Sequence, residues 1–211
     1  MSSISALSRH RWALPILAHL SGTGGSRFVP LAAALGMSRD ALRQTLDSLM
    51  ALRLVTPNPG YGHPTRPEYI LTDEGRRVAP ECGRLVEHVR QNGLEAVAFK
   101  KWSLPTVAAL RRPQRFAEVR RTVGATARAV TLSLKDLVDA GLVERRVHDE
   151  FPPRTSYRLT ETGRAVQSRV LRVERALEQT LPNHRATKRR RIPRQTRKRA
   201  HKASLRAEQQ A

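Results

Sequence analysis

The sequence predicts a mainly α fold with small β hairpins (α+β), arranged as two tandem modules followed by a disordered basic C-terminal tail. Three observations predict it. First, Val143–Val166, VERRVHDEFPPRTSYRLTETGRAV, repeats at a register of 88 the stretch Val55–Val78, VTPNPGYGHPTRPEYILTDEGRRV. The two share the valines at both ends and, in register, Pro, Arg, Tyr, Leu, Thr, Gly and Arg. Second, the apolar positions upstream coincide in the same register: Phe28 with Phe116, Leu31 with Val119, Leu35 with Val123, Leu42 with Val130, Leu46 with Leu134, Leu49 with Leu137 and Leu54 with Leu142. Third, of a formal net charge of +21, +10 lies in residues 183–211, where eleven basic residues face one acidic residue.

Taken in order, each module reads as three helices and a hairpin. WALPILAHL at Trp12 matches WSLPTVAAL at Trp102 with a register of 90, and the glycine-containing loop SGTGGS absorbs the two extra residues. Leu14, Leu17 and Leu20 recur at helical spacing, and Pro15 sits in the first turn, where its missing N–H costs little. A short second helix follows from Phe28 to Leu35 and ends at Gly36, which suits the left-handed conformation of a C-terminal cap. Ser38 and Thr126 are placed to cap the N-termini of the third helices, whose buried face in the first copy is Leu42, Leu46 and Leu49. Gly141 marks the end of that helix in the second copy. Arg53 stands there in the first, so a different cap is expected. VERRVH and RTSYRL are strand-like runs around the turn DEFPP, with Tyr157 and Leu159 alternating against Ser156 and Arg158. TETGR then caps and starts a further helix.

That last helix carries a heptad-like apolar stripe, Val166, Val170, Val173 and Leu177, matched in the first copy by Val78, Cys82, Leu85 and Val89. Two matched stripes predict that these helices pair within the chain, as an internal pseudo-dimer. The alternatives are packing of each stripe on its own module, or a true homodimer. Cys82 reads most simply as a small buried apolar residue. The expected organisation is a first domain at 1–78, a connecting helix at 79–93, a second domain with its pairing helix at 94–182, and a Lys/Arg-rich tail at 183–211.

Composition narrows the function. Thirty-nine Lys and Arg against 18 Asp and Glu favour a polyanionic partner, nucleic acid ahead of an anionic membrane surface. The apolar runs fall far short of the roughly 20 residues needed to span a bilayer, so no membrane partner is expected. A single cysteine excludes an internal disulfide framework and any multi-cysteine zinc site. No paired Cys/His spacing, phosphate-cradling glycine loop or nucleophile motif points to an enzyme, a metal or a cofactor. At 4% aromatic residues there are few rings for stacking bases, which ranks RNA below duplex DNA.

Three helices followed by a two-stranded wing make the winged variant of the helix-turn-helix. The second copy resembles the HxlR-type bacterial transcriptional regulators, a MarR-like winged-helix group. The resemblance rests on Lys101–Trp102, RFAEVRR at Arg115–Arg121, LKDLVDAGLVERRV at Leu134–Val147 and FPPRTSYRLTETGR at Phe151–Arg164. It spans roughly residues 94 to 166, and the first copy is a degenerate match. Members of the group are usually single modules that dimerise, whereas two are fused here. The group often has a cysteine upstream of its Lys-Trp pair, and none stands there in this chain, which argues against thiol sensing by that route.

The resemblance implies that the third helix of each module enters the major groove of double-stranded DNA and that the wing lies along the backbone or minor groove. With Leu42 and Leu46 inward, the outward residues of the first third helix are Asp40, Arg43, Gln44 and Asp47, with Arg39 at its start. Their equivalents in the second are Arg128, Thr131, Leu132 and Lys135. Two carboxylates would face phosphate in the first copy and two cations in the second, so the second module is expected to dominate. Arg145, Arg146, His148 and Arg154 are the phosphate-binding candidates of the second wing, diluted by Glu144, Asp149 and Glu150. Arg120 and Arg121 extend that edge, while the first wing offers mainly Arg66 and His63. In the tail, His184–Arg206 holds eleven Lys or Arg and no acid, including Lys188, Arg189, Arg190, Arg191, Arg197, Lys198 and Arg199. Such a run is expected to be disordered when free and to bind phosphates without regard to sequence.

The leading expectation is therefore a sequence-specific transcriptional regulator in the bacterial cytoplasm, on the nucleoid, with an unknown small-molecule effector. One alternative is an architectural, nucleoid-associated DNA protein of low specificity. Another is that the first module serves protein interaction or effector sensing and only the second touches DNA.

Overall fold

The computed structural model describes residues 3–58, 67–149 and 154–180. Two winged helix-turn-helix repeats follow one another. The first comprises α1 (Ser3–Leu7), α2 (Ala13–Thr23), β1 (Ser26–Arg27), α3 (Phe28–Leu35), α4 (Arg39–Ala51), β2 (Val55–Pro57), β3 (Glu68–Leu71) and α5 (Asp73–Gln91). The second comprises α6 (Glu95–Ala98), α7 (Ser103–Ala109), β4 (Gln114–Arg115), α8 (Phe116–Val123), α9 (Ala127–Asp139), β5 (Val143–His148), β6 (Arg154–Leu159) and α10 (Glu161–Thr180). The register of 88 holds for every element from β1 and β4 onward.

The caps form where the side-chain chemistry places them. Ser38 Oγ accepts from the Ala41 amide at 3.2 Å, and Thr126 Oγ1 accepts from the Ala129 amide at 3.3 Å, so α4 and α9 begin alike. Their ends are also alike, against the expectation that Arg53 requires a different cap. Arg53 takes a left-handed φ of 58° beside the 68° of Gly141. In both repeats the same two amide bonds close the turn: Arg53 to Met50 and Leu54 to Leu49, then Gly141 to Val138 and Leu142 to Leu137, all between 2.9 and 3.0 Å. This is the Schellman arrangement, and it holds Arg53 in a conformation that costs a non-glycine residue about 1 kcal/mol.

Two further departures concern the first helix and the sheet. Helix α2 extends through half of the expected SGTGGS loop to Thr23, because Thr23 Oγ1 donates to the His19 carbonyl at 3.0 Å and Gly24 supplies a left-handed cap. Each wing also has a third strand that the sequence reading did not anticipate. β1 pairs antiparallel with β3 through Ser26–Tyr69, and β4 with β6 through Gln114–Tyr157, giving sheet orders β1-β3-β2 and β4-β6-β5. Strands of two residues carry no alternation to read.

The duplicated TDEGR and TETGR segments lock each wing to the helix after it. Thr72 Oγ1 donates to the Arg53 carbonyl at 2.5 Å and accepts from the Gly75 amide at 2.9 Å. Thr160 does the same with the Gly141 carbonyl at 2.7 Å and the Gly163 amide at 3.0 Å. Arg76 and Arg164 each donate to the carbonyl of the last strand residue, Leu71 at 2.8 Å and Leu159 at 3.2 Å. The glycine is required by space: a Cβ at Gly75 would lie 1.9 Å from the Leu54 carbonyl oxygen, and one at Gly163 2.0 Å from that of Leu142.

The core lies where the two long helices meet. α5 packs against α2 and α10, and α10 also packs against α7. All eight stripe residues, Val78, Cys82, Leu85, Val89, Val166, Val170, Val173 and Leu177, are buried, each contributing about 1.5–3 kcal/mol when its side chain is large. Burial pushes the Cys82 thiol well above the usual thiol range, so the residue acts as packing. The short helices cross between repeats: α1 of the first packs on α7 and α10, burying Ile4 and Leu7, and α6 of the second packs on α5.

Candidate nucleic-acid interface

Helix α9 buries Val130, Ser133, Leu134 and Leu137 and presents Arg128, Thr131, Leu132 and Lys135 to solvent. α4 buries Leu42, Thr45, Leu46 and Leu49 and presents Arg39, Asp40, Arg43, Gln44 and Asp47. The outward sets are thus those the periodicity predicts. One acidic residue outside the predicted set alters the balance of the second. Lys135 Nζ donates to Asp139 Oδ2 at 2.8 Å, and this hydrogen bond lifts Lys135 above the ordinary lysine range. Both groups are exposed, so the pair is screened and leaves the ammonium able to exchange Asp139 for a phosphate.

The second wing places its cations by strand pairing. His148 lies opposite Arg154, Arg146 opposite Ser156, and Arg145 opposite Tyr157; Arg145, Arg146, His148 and Arg154 are all exposed. Side chains alternate along β5, so Glu144, Arg146 and His148 share one side and Arg145 and Val147 the other. Glu144 is cross-strand to Arg158, which binds its carboxylate at 2.7 Å, while Arg146 approaches to 3.5 Å. The hydrogen bond from Arg158 holds the Glu144 carboxyl below the usual carboxylate range. Of the three acids expected to dilute the wing, Glu144 is therefore occupied mainly by an arginine outside the candidate set. Arg120 and Arg121 are exposed in the last turn of α8, where the helix dipole favours cations. At the start of α8, Glu118 accepts from the Arg115 amide at 2.9 Å and pairs with Arg112 at 3.2 Å; these bonds, the backbone one first, lower its carboxyl.

Some residues beside the candidate set were not singled out from the sequence. Lys100, Lys101 and Trp102 line a cavity of about 370 Å³ together with Thr126, Arg128 and Leu132 of the α9 region. Lys101 Nζ stands 5.0 Å over the Trp102 ring, and Lys100 binds Asp136 of α9 at 2.8 Å. Arg11 stands 5.1 Å over Trp12 in the first repeat. Leu132 is 54% exposed and Val147 55%, two large apolar side chains among the cations. Around α4, Arg43 lines a cavity of about 640 Å³ with Arg27, Val29 and Tyr69. The candidates His63, Arg66, Lys188, Arg189, Arg190, Arg191, Arg197, Lys198 and Arg199, the acidic Glu150 and the whole 183–211 tail lie outside the described residues. Among the described residues, no cluster of three His, Cys, Asp or Glu could hold a metal ion, and no helix is long and apolar enough to cross a membrane.

The model of the HxlR-like helix-turn-helix family matches the chain twice in succession, over residues 7–96 and 97–185. The chain belongs to the HxlR-like helix-turn-helix family. It is 38% identical over 68 residues to an uncharacterized HTH-type transcriptional regulator of Methanothermobacter thermautotrophicus, covering 31% of this chain and 52% of that protein. With the uncharacterized HTH-type transcriptional regulator YybR of Bacillus subtilis it shares 40% identity over 62 residues, 29% of this chain and 50% of that one. The HxlR-like chain thus spans about half the length of these curated relatives. Among solved structures it is similar to diamide-treated YodB from B. subtilis, at 28% identity and a TM-score of 0.35, over 42% of this chain and 89% of that one. It is also similar to the redox regulator HypR in its oxidized form, at 32% identity and a TM-score of 0.37, over 41% and 91%.

Proposed function

We propose that this HxlR-like chain is a sequence-specific DNA-binding transcription regulator in which the two repeats act as an internal pseudo-dimer and the second repeat supplies most of the affinity. The observation that carries the reading is the contrast between two matched outer faces: Asp40, Arg43, Gln44 and Asp47 on α4 against Arg128, Thr131, Leu132 and Lys135 on α9, all exposed. Duplex DNA repels the first set in part and attracts the second even with Asp139 beside Lys135. The names of its relatives, HTH-type transcriptional regulators, support the regulatory role. Supporting the internal pair are the packing of α5 on α10 and the complete burial of both stripes within a single chain, which leaves neither stripe for a second copy. The site residues proposed for base edges are Arg128, Thr131, Leu132 and Lys135, and those for phosphates are Arg120, Arg121, Arg145, Arg146, His148 and Arg154.

The experiment selects genomic fragments on the purified full chain and then challenges the best fragment with about a hundredfold excess of random duplex. Retention of the fragment is expected; complete displacement would favour the architectural alternative. Arg128→Glu is expected to weaken binding by about tenfold or more, from the roughly 1–3 kcal/mol of a good base contact. Arg43→Glu is expected to do much less, and equal losses would overturn the dominance of the second repeat. The acidic pair Asp40 and Asp47 beside Arg43 favours a second reading of the first repeat as a protein-interaction or effector-sensing module.

A further inference from the structure

Resting on the reading of the first repeat as a protein-interaction module, we propose that the open groove between α3, α4 and the first wing docks an acidic segment of a partner protein, one that intersperses its carboxylates with large apolar side chains. The groove measures about 640 Å³, and among the described residues its lining holds two cations, Arg27 and Arg43, and no carboxylate. Phe28 and Tyr69 supply rings, and Val29, Pro30 and Pro67 supply aliphatic surface. Arginine and aromatic residues are the types enriched where proteins meet. None of the seven is buried, and Val29 is 60% exposed, more than Leu132 or Val147. A small-molecule site covers roughly 70–90% of its ligand, which so open a surface cannot do. A polypeptide lying across it covers the groove and its rim together.

The second repeat shows what the common framework requires. At the register of 88, Arg27, Phe28 and Tyr69 recur as Arg115, Phe116 and Tyr157, whereas Val29, Pro30, Arg43 and Pro67 stand where the second repeat has Ala117, Glu118, Thr131 and Thr155. All four differences add apolar surface or positive charge. The seven positions carry +2 in the first repeat, from Arg27 and Arg43, and zero in the second, where Arg115 is offset by Glu118. Duplex DNA suits this surface poorly. Its phosphates run in an unbroken line, and Asp40 and Asp47 flank Arg43 on the same face of α4, while exposed valine and proline offer phosphate nothing. A polypeptide can set its acids against the arginines and its apolar side chains against the rings. Burial and then Asp47 raise the Tyr69 hydroxyl above the ordinary tyrosine range, with Arg43 opposing, so Asp47 borders that end and rejects an unbroken acidic run. Residues 183–211 do not fit either, since their eleven basic residues against one acidic residue repeat the sign of the arginines. The occupant is therefore a separate protein.

The test selects a phage-displayed library of random peptides on the full chain. Counter-selection uses the full chain carrying Val29→Ala, Pro30→Glu and Arg43→Thr, which installs the residues of the second repeat and keeps the basic tail, so peptides held by the tail are removed. Peptides that combine Asp or Glu with Phe, Trp, Leu or Ile are expected. A synthetic copy of the most enriched one is expected to bind the parent chain at least about tenfold more tightly than the triple variant by fluorescence anisotropy, with circular dichroism confirming the fold. If the triple variant does not fold, Val29→Ala and Arg43→Thr decide singly. Enrichment of basic or purely acidic peptides, or of none that distinguishes the two chains, would overturn the proposal. DNA affinity of the same variants separates the two possible failures. Unchanged DNA affinity without a groove-dependent peptide removes the groove alone, whereas a loss matching that of Arg128→Glu makes the surface a DNA contact and removes the protein-interaction module with it.

Discussion

Replacing Gly163 with alanine would put a methyl group where the Leu142 carbonyl oxygen already sits. The added Cβ would lie 2.0 Å from that oxygen and 3.1 Å from Leu159 Cδ2, against an ordinary carbon–oxygen contact of about 3.3 Å. Either the start of α10 or the base of the wing must retreat by more than about 1 Å. The bonds that tie them are already at full length: Thr160 Oγ1 to the Gly141 carbonyl at 2.7 Å and the Thr160 amide to the Leu142 carbonyl at 3.1 Å. Such a retreat breaks the second and strains the first, and at about 1 kcal/mol per bond with added strain the loss is about 2–3 kcal/mol. Urea unfolding followed by circular dichroism measures it. Gly75→Ala, whose Cβ would meet the Leu54 oxygen at 1.9 Å, is expected to match. Gly83→Ala, within α5 and with nothing within 4 Å, is expected to gain about 0.5–1 kcal/mol. A loss below about 1 kcal/mol at Gly163, or equal effects at Gly163 and Gly83, would refute the claim that close approach dictates the glycine.

Arg53→Gly is expected to stabilise the chain by about 1 kcal/mol in the same urea assay, because the left-handed φ of 58° becomes unstrained. The Glu144 carboxyl lies below its ordinary value of 4.5 because of Arg158, so its contribution is complete at neutral pH and disappears as pH falls through the lowered folded value. A carbon-detected NMR titration of Glu144 should give a midpoint below 4.5, and Arg158→Gln should raise it; a midpoint unmoved by that change would remove the cross-strand pair as the cause. On a selected DNA fragment, Leu132→Ser is expected to relax preference at one thymine position by about 1 kcal/mol with little change in salt dependence, as read by fluorescence anisotropy on single-base variants. Arg145→Ala should instead lower the log-log salt slope by about 0.9 and weaken all sequences alike.

Periodicity made most of the fold legible. Leu42, Leu46 and Leu49 at helical spacing and the Thr-x-x-Gly-Arg segments each encode a local rule and form as expected, while RTSYRL forms its strand without the expected alternation, since Ser156, Tyr157 and Arg158 are all half-buried and only Leu159 is buried. What escaped is set by tertiary context. The left-handed turn at Arg53 is imposed by the wing that Thr72 holds in place, and β1 and β4 exist only because β3 and β6 offer them an edge. The same division holds at the candidate interface. The outward residues of α9 follow from counting positions, but the pairing of Lys135 with Asp139 needed the helix itself, since an i,i+4 carboxylate is a neighbour only once the turn exists. Likewise Arg158 reads as a strand residue, and its hold on Glu144 follows from the register of β5 against β6.

Joining two copies in one chain changes what substitution can do. In a homodimer of single modules, a carboxylate placed on the recognition helix appears on both, and any change to the groove beside it appears twice. Here Asp40 and Asp47 mark one helix while Arg128 and Lys135 mark the other, and Val29 and Pro30 stand in the first repeat where the second has Ala117 and Glu118. The framework common to both, the buried stripes of α5 and α10 and the Thr-Gly locks at each wing, supports either face equally. Because that framework carries the stability, the exposed sets and the groove beside α4 are free to diverge at little cost to folding. On this reasoning, exchanging the four outward residues of α4 for those of α9 should leave unfolding unchanged within about 0.5 kcal/mol while raising affinity for duplex DNA, and a large loss of stability would place the asymmetry in the fold instead of the surface.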